Sequence, residues 1–346
     1  MKEVIQLPDF KGYLSDLGGP SANMYQMKGK DEAICKKCKR PSCIHPKVCP
    51  NLNTDHRPLL DIYRAVDALP GIKKSFIGSG VRYDLLLHQS KDEAINRSTA
   101  EYTRELIVNH VSGRLKVAPE HTSDRVLSVM RKPSFEQFET FKRIFDRINR
   151  EENLRQQLIP YFISSHPGCK EEDMAELAVI TKRLDFHLEQ VQDFTPTPMT
   201  VATEAWYTGF HPYTLEPIFS AKTQREKLAQ RQFFFWYKPE EQQKIKAELR
   251  RIGRTDLADK LFDCMRPMEW NKKGNAHYDL EGRRHRPEDR SGHSRRTFSK
   301  GENREQASAD RACSKSAKRE GFLQNPRREA GDGRNRAMRR RNSGKS

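Results

Sequence analysis

The chain has 346 residues and a formal net charge of +17, a length that suits two domains or one large domain with a tail. No run of eighteen apolar residues occurs, which excludes a membrane-spanning helix. The opening MKEVIQLPDF has no apolar core and no cleavage signature, which argues against secretion and for a cytoplasmic protein.

Five short apolar, β-prone runs recur: GYLSDL (12–17), SFIGSG (75–80), LKVAP (115–119), PYFISS (160–165) and QVQDF (190–194). Helical patterns separate them. In the clearest, Ser134 and Gln137 predict a capping box, and Phe135, Phe138, Phe141, Phe145 and Ile148 recur at spacings of three and four, as core packing requires. Strand–helix alternation predicts parallel pairing, in part of a (β/α) barrel or in an open α/β sheet. Ligands gather at the carboxyl ends of such strands, where this sequence is polar and rich in glycine. Residues 221–265 predict two helices joined at Lys238-Pro239, with QFFFWY (232–237) in the core rather than stacked on a base.

Cys35, Cys38, Cys43 and Cys49 follow the first run with the spacing C-x2-C-x4-C-x5-C. Four thiols so close together suit zinc or an iron–sulfur cluster, and the neighbouring Lys36, Lys37, Lys39 and Arg40 favour thiolates. The alternative is four reduced thiols in a solvated loop. The spacing follows no standard zinc pattern closely.

Five motifs in one order, FKGYLSDLGGPSANMY, CPNLNTDHRPLL, KVAPEHTSDRVLSVM, PYFISSHPGC and VQDFTPTPMTVATEAWYTG, resemble the YgiQ family of radical S-adenosylmethionine proteins over about residues 3–265. The resemblance implies a partial (β/α) barrel missing its first strand. It also implies a [4Fe–4S] cluster that cleaves S-adenosylmethionine reductively and generates a 5′-deoxyadenosyl radical. By the same resemblance Gly18 and Gly19 meet the amino group of S-adenosylmethionine, although Pro20 stands where the family has an acid. Ser79, Arg82, Glu120 and Gln192 are placed by it at the strand ends as cofactor-facing residues, Arg82 and Glu120 being equally open to ordinary ion pairs. His166 and Cys169 are expected to be structural or substrate-facing.

The family's cluster motif, C-x3-C-x2-C, occurs nowhere in this sequence, so the four cysteines are not the radical centre. The expectation is a carboxyl-terminal fragment, inactive alone, whose partner is an upstream amino-terminal chain carrying the triad. The expected division is a partial barrel over 1–215 with a cysteine-rich insertion at 30–55, a helical domain over 216–270, and a disordered basic tail over 271–346. That last stretch holds 22 Lys/Arg against 10 Asp/Glu, a net of +12. The alternative function is a non-catalytic nucleic-acid-binding protein that holds RNA or DNA through this tail.

Overall fold

A computed structural model describes residues 1–262 apart from Pro20, Glu189 and Gln190, all within one compact unit. The expected basic tail and the acid-to-Pro20 exchange lie outside the described residues. The elements in order are α1 (Lys2–Ile5), β1 (Tyr13–Leu14), α2 (Glu32–Lys37), α3 (Arg57–Asp67), β2 (Lys74–Ser75), α4 (Tyr83–Leu87) and α5 (Glu93–Glu105), which continues into a π turn at Leu106–His110. Then come β3 (Arg114–Glu120), α6 (Asp124–Met130), α7 (Phe135–Glu151), β4 (Gln157–Ser164), α8 (Glu171–Arg183), β5 (Val191–Asp193) and α9 (Val201–Thr208). The described chain finishes with α10 (Gln224–Arg231), α11 (Pro239–Arg251) and α12 (Thr255–Phe262).

The strands pair in parallel, as the alternation predicts, but in two sheets: β1 with β2, and β3–β4–β5. No closed barrel exists among the described residues. The division is visible in the hydrogen bonds. The Ile77 N–H, just past β2, donates to the carbonyl of His110 at the end of the π turn, not to β3. Pairing between β1 and β2 runs on through Phe76, then stops where the Gly78 N–H turns to the carboxylate of Asp16.

The three-stranded sheet carries the core. In β4 burial alternates along the strand, with Leu158 and Phe162 turned inward, and in β3 Leu115 and Val117 do the same. All five predicted apolar positions of α7 are buried against this sheet and its neighbours. The capping box is only half made. The Ser134 hydroxyl accepts from the Glu136 N–H at 3.3 Å, but its own proton goes to Asp124, which also takes the Phe135 N–H at 3.1 Å. Asp124 thus takes a first-turn N–H and orients the Ser134 hydroxyl, where the capping box expected a bond from the Gln137 side chain.

The carboxyl-terminal part of the described chain holds three helices where two were expected. α10 opens with a full capping box from Thr223 and Glu226. The first position of a helix needs no N–H donor, so proline fits there, and Pro239 opens α11 in this way. A further break follows at Gly253, whose φ of +72° ends α11 before α12 begins. Phe233 and Phe234 are fully buried and the Trp236 indole N–H donates to Thr181 at 3.1 Å, so QFFFWY is core. No described helix is long and apolar enough to cross a membrane.

Candidate functional site at the strand ends

Each strand delivers one anchored polar group at its carboxyl end. After β1, Asp16 accepts from Gly18 N–H (2.9 Å), Gly78 N–H (3.1 Å) and the Ser79 hydroxyl (2.5 Å). Burial pushes this carboxyl up, but the bonds from Ser79, Gly18 and Gly78 outweigh it and hold the group below the usual aspartate value. The two expected glycines separate here. A Cβ on Gly18 would stand 2.9 Å from Asp16 Oδ1, whereas one on Gly19 would meet nothing within 4 Å. Only Gly18 is demanded by the turn.

Ser79 lies against Asp16, whereas Arg82 and Glu120 line a cavity that neither of those two reaches. Ser79 serves Asp16 rather than an open cavity. Arg82 forms a two-point ion pair with Asp84, with contacts of 2.5 and 3.0 Å. Its backbone is clamped by the fully buried Asn23, which accepts the Arg82 N–H at 2.7 Å and donates to the Arg82 carbonyl at 3.0 Å.

Glu120 ends β3 with a φ of +67°, in the left-handed region that favours glycine. One carboxylate oxygen takes Lys132 Nζ at 2.9 Å; the other, Oε2, is buried without a hydrogen-bond partner. Arg82, Asp84, Glu120 and Lys132 line one cavity of about 220 Å³. Arg82, Asp84, Lys132 and Pro133 also line a groove of about 830 Å³ between Ile44–Val48 and the helices α6 and α7.

The end of β4 is built from more distant parts. Ser165, at a φ of +62°, donates its N–H to Gln230 Oε1 at 2.8 Å, and Gln230 Nε2 donates to the Cys169 carbonyl at 2.9 Å. His121 Nδ1 accepts the Ser123 N–H at 3.0 Å, so the ring proton sits on Nε2, facing Cys169 Sγ at 3.5 Å. Burial drives His121 down to about 3 and raises the Cys169 thiol well above its ordinary value. Burial thus holds this thiol toward its protonated form. His166, driven to about 4 by burial, packs edge-on against Phe194 at 5.0 Å.

Gln192 does not join the site. It is exposed on β5 and takes a hydrogen bond from the Tyr161 hydroxyl. The inward group of β5 is Asp193, which holds the Ser164 hydroxyl at 2.5 Å and Arg231 at 3.0 Å.

The cysteine stretch is ordered by its own polar contacts. Asp31 caps α2, Asn51 binds back to Asp31, and the Cys49 N–H donates to the Cys43 carbonyl at 2.7 Å. Two sulfurs accept N–H groups: Cys35 from Asn51 Nδ2 at 3.2 Å and Cys38 from the Arg40 backbone at 3.4 Å. The four sulfurs do not converge. Among the described residues no three His, Cys, Asp or Glu side chains are placed to hold a metal ion. The helix ends at Lys37 and Cys38 is extended, so the i, i+3 spacing of Cys35 and Cys38 does not put both on one helical face.

Comparison with known proteins gives two findings. Residues 189–335 match a family model described as a domain of unknown function, DUF3362. The chain is also similar to curated bacterial sequences named UPF0313 proteins. That of Bacteroides thetaiotaomicron is 92% identical over 262 residues, 76% of this chain and 42% of the relative. That of Porphyromonas gingivalis is 68% identical over 263 residues, again 76% and 42%. That of Chromobacterium violaceum is 44% identical over 266 residues, 75% and 34%. The chain spans about two fifths of the length of the first two.

Proposed function

Because this chain belongs to the UPF0313 family, which is the YgiQ family, we propose that its full-length relatives are radical S-adenosylmethionine enzymes and that this chain forms the cofactor- and substrate-facing wall of their partial (β/α) barrel. The observation that carries this reading is Glu120. A strained backbone and a buried, unpartnered carboxylate oxygen sit beside Arg82 and Lys132 in one strand-end cavity. The free Oε2 suits a ligand hydroxyl such as those of the S-adenosylmethionine ribose, while Arg82 and Lys132 are already paired with Asp84 and Glu120 and hold the cavity wall in place.

The [4Fe–4S] cluster does not match. The sequence lacks C-x3-C-x2-C, and no described set of residues gathers three ligands. This chain therefore binds and orients without supplying the electron. Calorimetric titration with S-adenosylmethionine is expected to show binding, weakened roughly tenfold or more by Glu120→Gln, which removes a charge-assisted acceptor. Anaerobic incubation with iron, sulfide and dithionite is expected to give no 5′-deoxyadenosine from this chain. Failure to bind would sink the reading of the wall; catalytic product would sink the statement about the cluster. Nucleic-acid affinity that persists where S-adenosylmethionine binding fails would favour the second reading, binding of RNA or DNA through residues 271–346, which rests on their net charge of +12.

The cysteine stretch is proposed separately as a ligand for zinc or an iron–sulfur cluster, on the ground that two of its sulfurs already accept N–H groups. Ligation would require the loop to close from the arrangement described. Elemental analysis of protein purified without chelator is expected to find about one zinc, or iron with matching sulfide, per chain. Metal-free protein with all four thiols open to alkylation would end this proposal.

A further inference from the structure

Residues 199–219, between β5 and α10, carry six large apolar side chains that stand in solvent: Met199, Tyr207, Phe210, Tyr213, Leu215 and Phe219. Single exposed apolar residues are ordinary, but this concentration is not. Nor is the segment slack. Phe210 bridges to Pro217, His211 N–H donates to the Glu216 carbonyl at 2.8 Å, and Ile218 N–H donates to the Gly209 carbonyl at 2.7 Å. Gly168 N–H holds the Phe219 carbonyl at 2.7 Å, and the Arg131 guanidinium lies 4.4 Å from the centre of the Tyr213 ring.

Two of the exposed side chains are presented against steric preference. Met199 and Leu215 have φ values of +64° and +59°, in the left-handed region that residues with a Cβ enter at a cost. A folded, strained segment that turns methionine, leucine and aromatic rings outward has the character of an interface core with its partner removed.

The basic stretch 271–346 is a poor match for that face, since it contains no Val, Ile or Trp. The full-length relatives offer a better one. The matched stretch is 42% of the Bacteroides and Porphyromonas proteins, so more than half of each polypeptide lies outside it. We propose that residues 199–219 are a docking face for that outside part of the full-length protein, which meets it with an apolar, largely uncharged surface.

Hydroxyl-radical footprinting of this chain and of the full-length Bacteroides relative tests the proposal without truncating either. Side chains of 199–219 are expected to label quickly in this chain, and the matched segment about tenfold more slowly in the relative. Equal labelling in both would overturn the proposal. So would a dimer of this chain, seen by light scattering, whose 199–219 segment is already protected, because a second copy would then be the occupant.

Discussion

Lowering the pH from 7 to 5 is expected to remove about 6 kcal/mol of folding stability, through three buried imidazoles. His56, His121 and His166 are driven by burial to about 4, about 3 and about 4. Around His56, Asp55 opposes the fall. Around His121, His166 and Arg125 add to it; around His166, Lys132 adds and the Pro167 carbonyl opposes. In the unfolded chain these groups protonate near 6.5. Between that value and their folded values the unfolded state binds more protons, so stability falls as pH falls. Each group then contributes about 1.4 kcal/mol per pH unit. Three groups over about 1.5 units compare with a whole domain stability of about 5–15 kcal/mol. Urea titrations at pH 7.5, 6 and 5 check this, and replacing His56 by Gln should flatten the slope by about a third. A midpoint independent of pH would show that these rings are hydrated.

Legibility in the sequence followed the range over which each residue acts. α7 was readable because five apolar side chains at helical spacing require only their own helix and a sheet to pack on. The strand ends were readable as glycine- and serine-rich runs, and Arg82 and Glu120 do share a cavity. The groups that hold those ends were not readable. Asp16 reaches Ser79, Asn23 clamps Arg82 and Gln230 latches Ser165, each across more than fifty residues and with no local pattern to betray it. Lys132, close to Glu120 in sequence, was hidden for another reason: a lysine after a helix usually stays in solvent.

Two further placements have simple local causes. Gln192 and Asp193 are neighbours on one strand, and the period of two gives the inward position to Asp193. The cysteines are close in sequence, but α2 ends before the extended Cys38, so Cys35 and Cys38 do not share a helical face. The split of the strands into two sheets also escaped the sequence. At the break the Ile77 N–H goes to the carbonyl of His110, distant in sequence and marked by no local pattern.

Replacing Phe138 by Ala is expected to cost about 3–5 kcal/mol, the second large effect. Phe138 is fully buried on α7, with ring centres of Phe135, Tyr83 and Phe186 at 5.2, 6.0 and 6.1 Å. Its three neighbours belong to α7, α4 and the stretch after α8, so the ring ties three parts of the molecule together. Truncation removes the transfer energy of the ring and leaves a cavity that these separately anchored elements cannot collapse to fill. Phe138→Leu keeps most of the volume and should cost markedly less, while Leu228→Ala, on the exposed side of α10, should change stability by under about 0.5 kcal/mol. Urea denaturation of the three variants at pH 7.5 gives the order directly. If Phe138→Ala costs no more than Leu228→Ala, the aromatic cluster is not the core that holds the strand-end loops in place.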